Sequence, residues 1–499
     1  MSPPNLAEER FRVWLAGLGK PRLTGLSREY ARLAFEGGLS VLRDGAPQAI
    51  PPALTAVVDE PERQRARADL AHRLLRGIVR TLRYHLGGIG RSEADALLAG
   101  LSPWERELCD LTWREGEYVA IARADLFTDS AGVDRPLEMN ATIPAMQAYS
   151  DVAAQAFLRA VGGLAGLSRE RIDALARRNG SNSDDLRRSL LAHHERLGGR
   201  GDGARMAMVA RAQDPQSTEL AALCRSFNAA GLEAHRCTPD QIGLDEQGRA
   251  TLLGKPLDLI YRHVFARRIE PASALGRIAR EPARHHLLNP VNSQLEMKSV
   301  FAELSAAAAE PALAHAIGFE PDELAAAATI PWSRRLGRAP TPDPSGAAVA
   351  NLLAFAQANP RRLVLKRSWG YGGTSVLLGD EIETESGQQR ARDILGTAEA
   401  REVSWQDLLE HCAQRGGYVV QERVELATQR HLVAGDGEPV WLDWYVDVSA
   451  YTNLGVEPRP TGAVRRGSKS RIVNIVGGGG LVPVILRPVM EELLEAVGV

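Results

Sequence analysis

Cysteine is scarce: four residues in 499, Cys109, Cys224, Cys237 and Cys412, scattered and without a C-x-x-C pair. That excludes a disulfide scaffold and a Cys-rich zinc site, and a reducing cytoplasm is the expected compartment. An excess of one charge is missing too, since 60 Lys and Arg stand against 62 Asp and Glu, a formal net charge of -2. Without a broad basic field, no partnership with nucleic acid or an anionic lipid surface is expected. No apolar run reaches the roughly 18 residues of a membrane helix. The N-terminal MSPPNLAEERF carries acids where a signal peptide needs an apolar core. Neither export nor membrane insertion is expected. The G-x-S-x-G elbow and the H-E-x-x-H motif are also missing, and with them the usual hydrolase and zinc-protease signatures. Two His doublets, His193-His194 and His285-His286, lie in helical, charged stretches. They are expected to face solvent or cap packing and not to bind a metal.

What is present is an ordinary globular composition, 44% hydrophobic and 24% charged, on a chain long enough for two or three packed units. Residues 1–111 carry apolar positions at three- and four-residue spacing, as in ARADLAHRLLRGIVRTLRYHL, and predict a helical N-terminal region. From about 112 the period changes. Tyr118 to Phe127 is extended in character, the turn-rich TDSAGVD follows, and Arg135 to Asn140 completes a predicted β-hairpin. Helices resume to 197, and the Gly-rich stretch 198–203 reads as a linker. Residues 204–290 alternate strand and helix, which predicts a small parallel α/β unit. Residues 291–499 open with a helix, Gln294 to Ala309, and are otherwise mostly strand. The expected class is α/β with α+β character.

Four strings could carry chemistry. In the hairpin, Arg123 and Asp125 are two apart on one strand, and Glu138 and Asn140 two apart on the other, so each pair projects from one face. If the strands are antiparallel neighbours, three hard oxygen donors and a guanidinium converge, a set that suits magnesium sharing substrate phosphates. A solvated hairpin face with a surface ion pair would read the same. The second string, LVLKRSWGYGGTSV, is an apolar strand ending in Lys366, then Gly370, Gly372 and Gly373, then another strand. Glycines let backbone N–H groups approach a phosphate, and the Lys adds a point charge. It is neither a P-loop nor a dinucleotide fingerprint, and a Gly-Gly hairpin turn needs no ligand. The third, YVVQERV, passes abruptly from apolar to polar and could present adenine with a backbone edge plus Gln421 or Glu422, or be a plain strand end. In the fourth, Gly462 to Arg466, Arg465 is expected to face the site. Asn474 beside Gly477 to Gly480 suggests close backbone approach to a ligand.

In this order the strings resemble the circularly permuted ATP-grasp ligases, as in the synthetase domain of glutathionylspermidine synthase and its uncharacterised relatives. Arg123-x-Asp125 followed by Leu137-Glu138-Met139-Asn140-Ala141-Thr142-Ile143-Pro144 is similar to the family's R-x-D … L-E-x-N-x-x-x-P. The resemblance spans roughly residues 116–483 and implies a permuted ATP-grasp fold with a small α/β domain of the kind that precedes the nucleotide lobes. It implies that Asp125, Glu138 and Asn140 hold Mg2+ and that Arg123 touches the transferred phosphate. It makes Lys298 and Lys366 the two nucleotide-binding lysines and Gly370, Gly372 and Gly373 the phosphate loop. Gln421 and Glu422 become the adenine hinge, and Arg465 with Asn474 the closing phosphate and metal side. Metal acids that precede the Lys strands in the chain are what a permuted fold requires. The chain departs from the bifunctional synthase in having no recognisable amidase domain, and it carries Tyr261-Arg262-His263 where relatives often have two arginines.

The implied activity is ATP-dependent joining of a small-molecule or peptide carboxylate to an amine through an acyl phosphate, releasing ADP and phosphate. The alternatives are a non-catalytic ATP-binding protein and an ATP-dependent phosphotransferase. ATP and Mg2+ are the expected cofactors.

Overall fold

A computed structural model describes residues 6–87, 91–115, 119–370, 373, 375–397, 402–475 and 477–499. Tyr118, the first residue expected in the hairpin, and Gly372 of the glycine loop lie outside the described residues. The centre is an antiparallel sheet drawn from both halves of the chain. Its order is Gln429–Val433, Val440–Val446, Ala463–Ser468, Val448–Leu454, Val119–Thr128 and Asp134–Asn140, with Gly480–Val482 paired to Ala463–Ser468. Val119–Thr128 is buried at every position but its last. That is why VAIARADLF reads as an almost unbroken apolar run: both faces are covered, so polar alternation would be costly. Val448 sits opposite Leu126 and Leu454 opposite Val119, with a bulge between Thr452 and Leu454.

The expected α/β unit is present as a parallel sheet in the order Leu287–Leu288, Leu259–His263, Arg205–Ala210, Glu233–Cys237. A second antiparallel sheet, ordered Ser333–Arg335, Tyr418–Glu422, Leu363–Arg367, Val376–Leu378, has its own core. There Trp332, Leu353, Trp405 and Leu408 pack between the sheet and the helices Leu352–Ala358 and Trp405–Arg415. Trp405 donates its indole N–H to Ala356 O at 3.0 Å, which satisfies the one polar atom it buries.

The N-terminal region is helical over Leu6–Gly17, Lys20–Gly37 and Pro61–Leu86, but it also carries three short strands. One of these, Val57–Asp59, pairs in parallel with Val484–Leu486 near the other end of the chain. The apolar triplet Ala56-Val57-Val58 behind Pro51-Pro52 is too short to give a periodic signal, so helix spacing on either side hides it. Phe11 and Tyr30 meet Phe157 with ring centroids 5.3 and 6.0 Å apart, so these helices share one core with Gln147–Leu164. The expected helix from Gln294 is a 3-10 turn, Ser293–Glu296, and the α-helix begins only at Lys298 because Met297 is extended. Of the His doublets, His193, His194 and His285 are buried and His286 is half-buried. His194 and His286 meet Nδ1 to Nδ1 at 2.6 Å.

Candidate active site

The hairpin register sets Arg123 opposite Asn140 and Asp125 opposite Glu138, with a bulge after Asp125. All four side chains face one cleft, and Arg123 and Asp125 are 6% and 5% exposed. This is not a solvated hairpin face. Arg123 donates Nε and Nη2 to the two Asp125 oxygens at 2.7 and 3.0 Å, a bidentate pair. Arg466 adds a third contact to Asp125, Nη2 to Oδ2 at 2.9 Å, and is itself held by Asp447, Nε to Oδ2 at 2.9 Å.

The second sheet brings the lysines. Lys298, first residue of its helix, is fixed by its N–H donating to Ser368 O at 3.0 Å; its ammonium reaches Glu138 at 3.0 Å and Gly370 O at 3.0 Å. Lys366 ends the apolar run of Leu363–Arg367 and donates to Gln421 Oε1 at 2.5 Å, while Gln421 Nε2 donates to Ser333 Oγ at 2.9 Å. Gln421, expected to reach adenine, therefore has its amide engaged with Lys366. Glu422 stays at the cleft rim with Val424 and Leu426 and pairs with Arg362 at 3.4 Å. Gly370 and Gly373 line the cleft. Gly373 has φ +71, and an added Cβ would stand 2.7 Å from Ile472 Cγ2, so a side chain is strained at this position.

Two expectations are corrected. Arg465 does not face the cleft; it lies 3.7 Å from Asp59 in a buried cluster with Arg67. Successive strand side chains point to opposite faces, so its neighbour Arg466 takes the site. Asn474 does line the cleft. The last two of the glycines after it, however, make room for the protein itself: a Cβ on Gly480 would be 2.4 Å from Pro51 O, and one on Gly479 2.8 Å from Asn474 O.

The electrostatics follow from this packing. Burial works against the charge on Asp125, yet Arg123 and Arg466 hold its carboxyl well below the ordinary range. Burial opposes Glu138 as well, and Lys298 chiefly outweighs it, so its carboxyl is also lowered. Lys366 is pushed down to about 8, mainly by burial and only partly opposed by Glu138. Four cations (Arg123, Arg466, Lys298, Lys366) thus face three carboxylates (Asp125, Glu138, Asp447). Among the described residues no group of three or more His, Cys, Asp or Glu could hold a metal ion. Asp125 and Glu138, whose oxygens here meet Arg123, Arg466 and Lys298, and the Asn140 amide offer oxygens of the hard kind that divalent cations take.

The cleft has a volume of about 530 Å³. Beyond the charged cluster it runs to Ile143, Met146, Arg211, Asp214, His263 and Phe265. The last four lie at or just past the carboxyl ends of Arg205–Ala210 and Leu259–His263, where open parallel sheets commonly bind ligands. Arg466, Asp447 and, apart from His263, this far wall were not singled out from the sequence. A lone Asp in the apolar WYVDV was a signal for Asp447.

Neither a protein-family model nor a curated protein matches the chain. Among solved structures, it is similar to a glutathione synthetase like-effector from Globodera pallida, in apo form, at 11% identity. The likeness covers 94% of this chain and 98% of that one with a TM-score of 0.58. At that identity the likeness is one of fold alone: the chain has a mixed α/β fold similar to that effector's over nearly its whole length.

Proposed function

We propose that the cleft binds ATP with Mg2+, in a permuted ATP-grasp arrangement, and that the protein is a carboxylate–amine ligase. The observation that carries this reading is the meeting of Lys298, Lys366, Arg123 and Arg466, from four separate segments, around Asp125, Glu138 and Asn140. The likeness to a protein described as glutathione synthetase-like supports an ATP-dependent ligase. A bare surplus of cations would suit any polyanion. Cations alternating with two carboxylates and an amide suit a polyphosphate that arrives with a divalent ion.

In this account Asp125, Glu138 and Asn140 would hold Mg2+, which when bound neutralises phosphate oxygens and orients the nucleotide. Asn474 borders the same wall. Lys366 and Lys298 bind phosphate oxygens, and Lys298 has to exchange its Glu138 contact for phosphate as the nucleotide enters. The rim at Val424 and Leu426, with Val364 and Leu378, offers the base an apolar slot beside Glu422. Arg123 and Arg466 stand where charge builds on the γ-phosphoryl group as a carboxylate attacks it. The acyl phosphate so formed passes its acyl group to an amine, with phosphate as leaving group. Catalysis here is placement and charge neutralisation, since phosphoryl transfer asks little covalent help of the protein.

A mass-spectrometric screen tests the reading, with protein, ATP and Mg2+ incubated with a metabolite extract. The expected result is ADP and phosphate with a new amide, and with hydroxylamine in place of the amine, a hydroxamate. AMP with pyrophosphate would indicate adenylation and overturn it. A phosphorylated product that persists when amine is present would instead mark a phosphotransferase.

A further inference from the structure

Glu219 has no place in the cleft wall, yet it is fully buried on the helix Ser217–Ala229, with its carboxyl set against the Met146 and Ala148 backbone N–H groups. Its Oε1 accepts the Met146 N–H at 2.6 Å. The carbonyl of that same peptide, Ala145 O, accepts Arg123 Nη1 at 2.8 Å and the Tyr451 hydroxyl at 3.0 Å. A single peptide plane therefore lies between Glu219 and the Arg123 guanidinium. Met146 is held at φ +90, a left-handed conformation that residues with a side chain rarely adopt, at the start of the helix Gln147–Leu164. The turn is not kept by local preference; it is kept by partners at both ends of one peptide. A hydrogen bond to the N–H polarises the peptide and makes its carbonyl a stronger acceptor. Asp125 grips the guanidinium from one side and this carbonyl from the other.

We propose that Glu219 is a positioning residue: acting through the 145–146 peptide, it fixes Arg123 for contact with the phosphoryl group in transfer. This rests on the phosphoryl-transfer reading of the site. Burial raises the Glu219 carboxyl to about 8. So costly a placement, in contact with nothing but this turn and its surroundings, fits a group retained for what it aligns.

The test uses Mg-ADP with tetrafluoroaluminate, which mimics the phosphoryl group in flight, against Mg-ADP alone, by titration calorimetry. Two variants separate alignment from folding: Glu219→Leu removes the acceptor, and Glu219→Gln keeps it. Mg-ADP affinity should be unchanged in both. The extra tightening given by fluoroaluminate should fall about tenfold or more in the Leu variant and stay near wild type in the Gln variant. In an Arg123→Ala background, Glu219→Leu should add no further loss. If Glu219→Leu does not fold, Met146→Gly, which adopts φ +90 freely, is added and the same comparison is made. Unchanged fluoroaluminate tightening in the Leu variant, equal loss of Mg-ADP affinity, or full additivity with Arg123→Ala would overturn the inference. No Mg-ADP binding by the wild type would overturn the ATP-site reading, and this inference with it.

Discussion

Replacing Lys366 with Met should make the unliganded protein more stable while removing its affinity for ATP. The Lys366 ammonium is buried, with Gln421 Oε1 at 2.5 Å and the positive Lys298 as a neighbour in the same cleft. Burial lowers its pKa from 10.5 to about 8. At roughly 1.4 kcal/mol per unit, keeping this group charged costs the fold about 3 kcal/mol at neutral pH. Met fills the same stem volume without the charge. Gln421 loses a charged donor, which returns roughly 1–2 kcal/mol of that gain. The expected net gain is then about 1–2 kcal/mol in urea denaturation at pH 7. The sign can be checked with pH. A base whose folded pKa is lowered destabilises the fold fully below that pKa, and the penalty fades as pH rises to the unfolded value. The advantage of Met should hold up to about pH 8 and shrink between there and 10.5. Calorimetry with Mg-ATP completes the assay. A Met variant less stable than wild type at pH 7, or one that still binds ATP normally, would refute the reasoning.

Glu138→Gln should behave in the opposite way. It leaves Lys298 and Lys366 without the carboxylate that offsets them, so thermal denaturation should show a loss of about 1–3 kcal/mol along with loss of turnover. Arg466→Gln should weaken Mg-ATP binding and abolish turnover. Arg465→Gln should leave nucleotide affinity intact, and calorimetry on both variants separates the two roles.

Much of the clustering in the cleft was legible because it depends on strand parity. Arg123, Asp125, Glu138 and Asn140 alternate within two strands, and antiparallel pairing across a short turn brings them to one face whatever the rest of the chain does. Lys366 was legible for a similar reason, as the polar end of an apolar strand before glycines. Arg465 failed on the same rule. In Ala-Val-Arg-Arg-Gly two equivalent residues stand side by side, and only the register with Ser449 and Val482 decides which one points inward. The contact of Gln421 with Lys366 was not legible, since it joins positions 55 residues apart. In the fold, the parallel α/β unit declared itself through alternating strand and helix. The strand Val57–Asp59 did not, because its pairing with Val484–Leu486 is long-range and its own length is three residues. Glu219 was equally invisible: a Glu in the first turn of a helix reads as a favourable helix start, and nothing local shows that a distant turn lies over it.

The most direct measurement of the central claim is oxygen transfer. With the carboxylate found by the metabolite screen labelled with 18O in its carboxyl group, an acyl-phosphate route moves one labelled oxygen into the released phosphate. The account predicts phosphate carrying one 18O, formed with ADP and only when protein, Mg2+ and carboxylate are all present. Unlabelled phosphate, or label appearing in AMP, would contradict it.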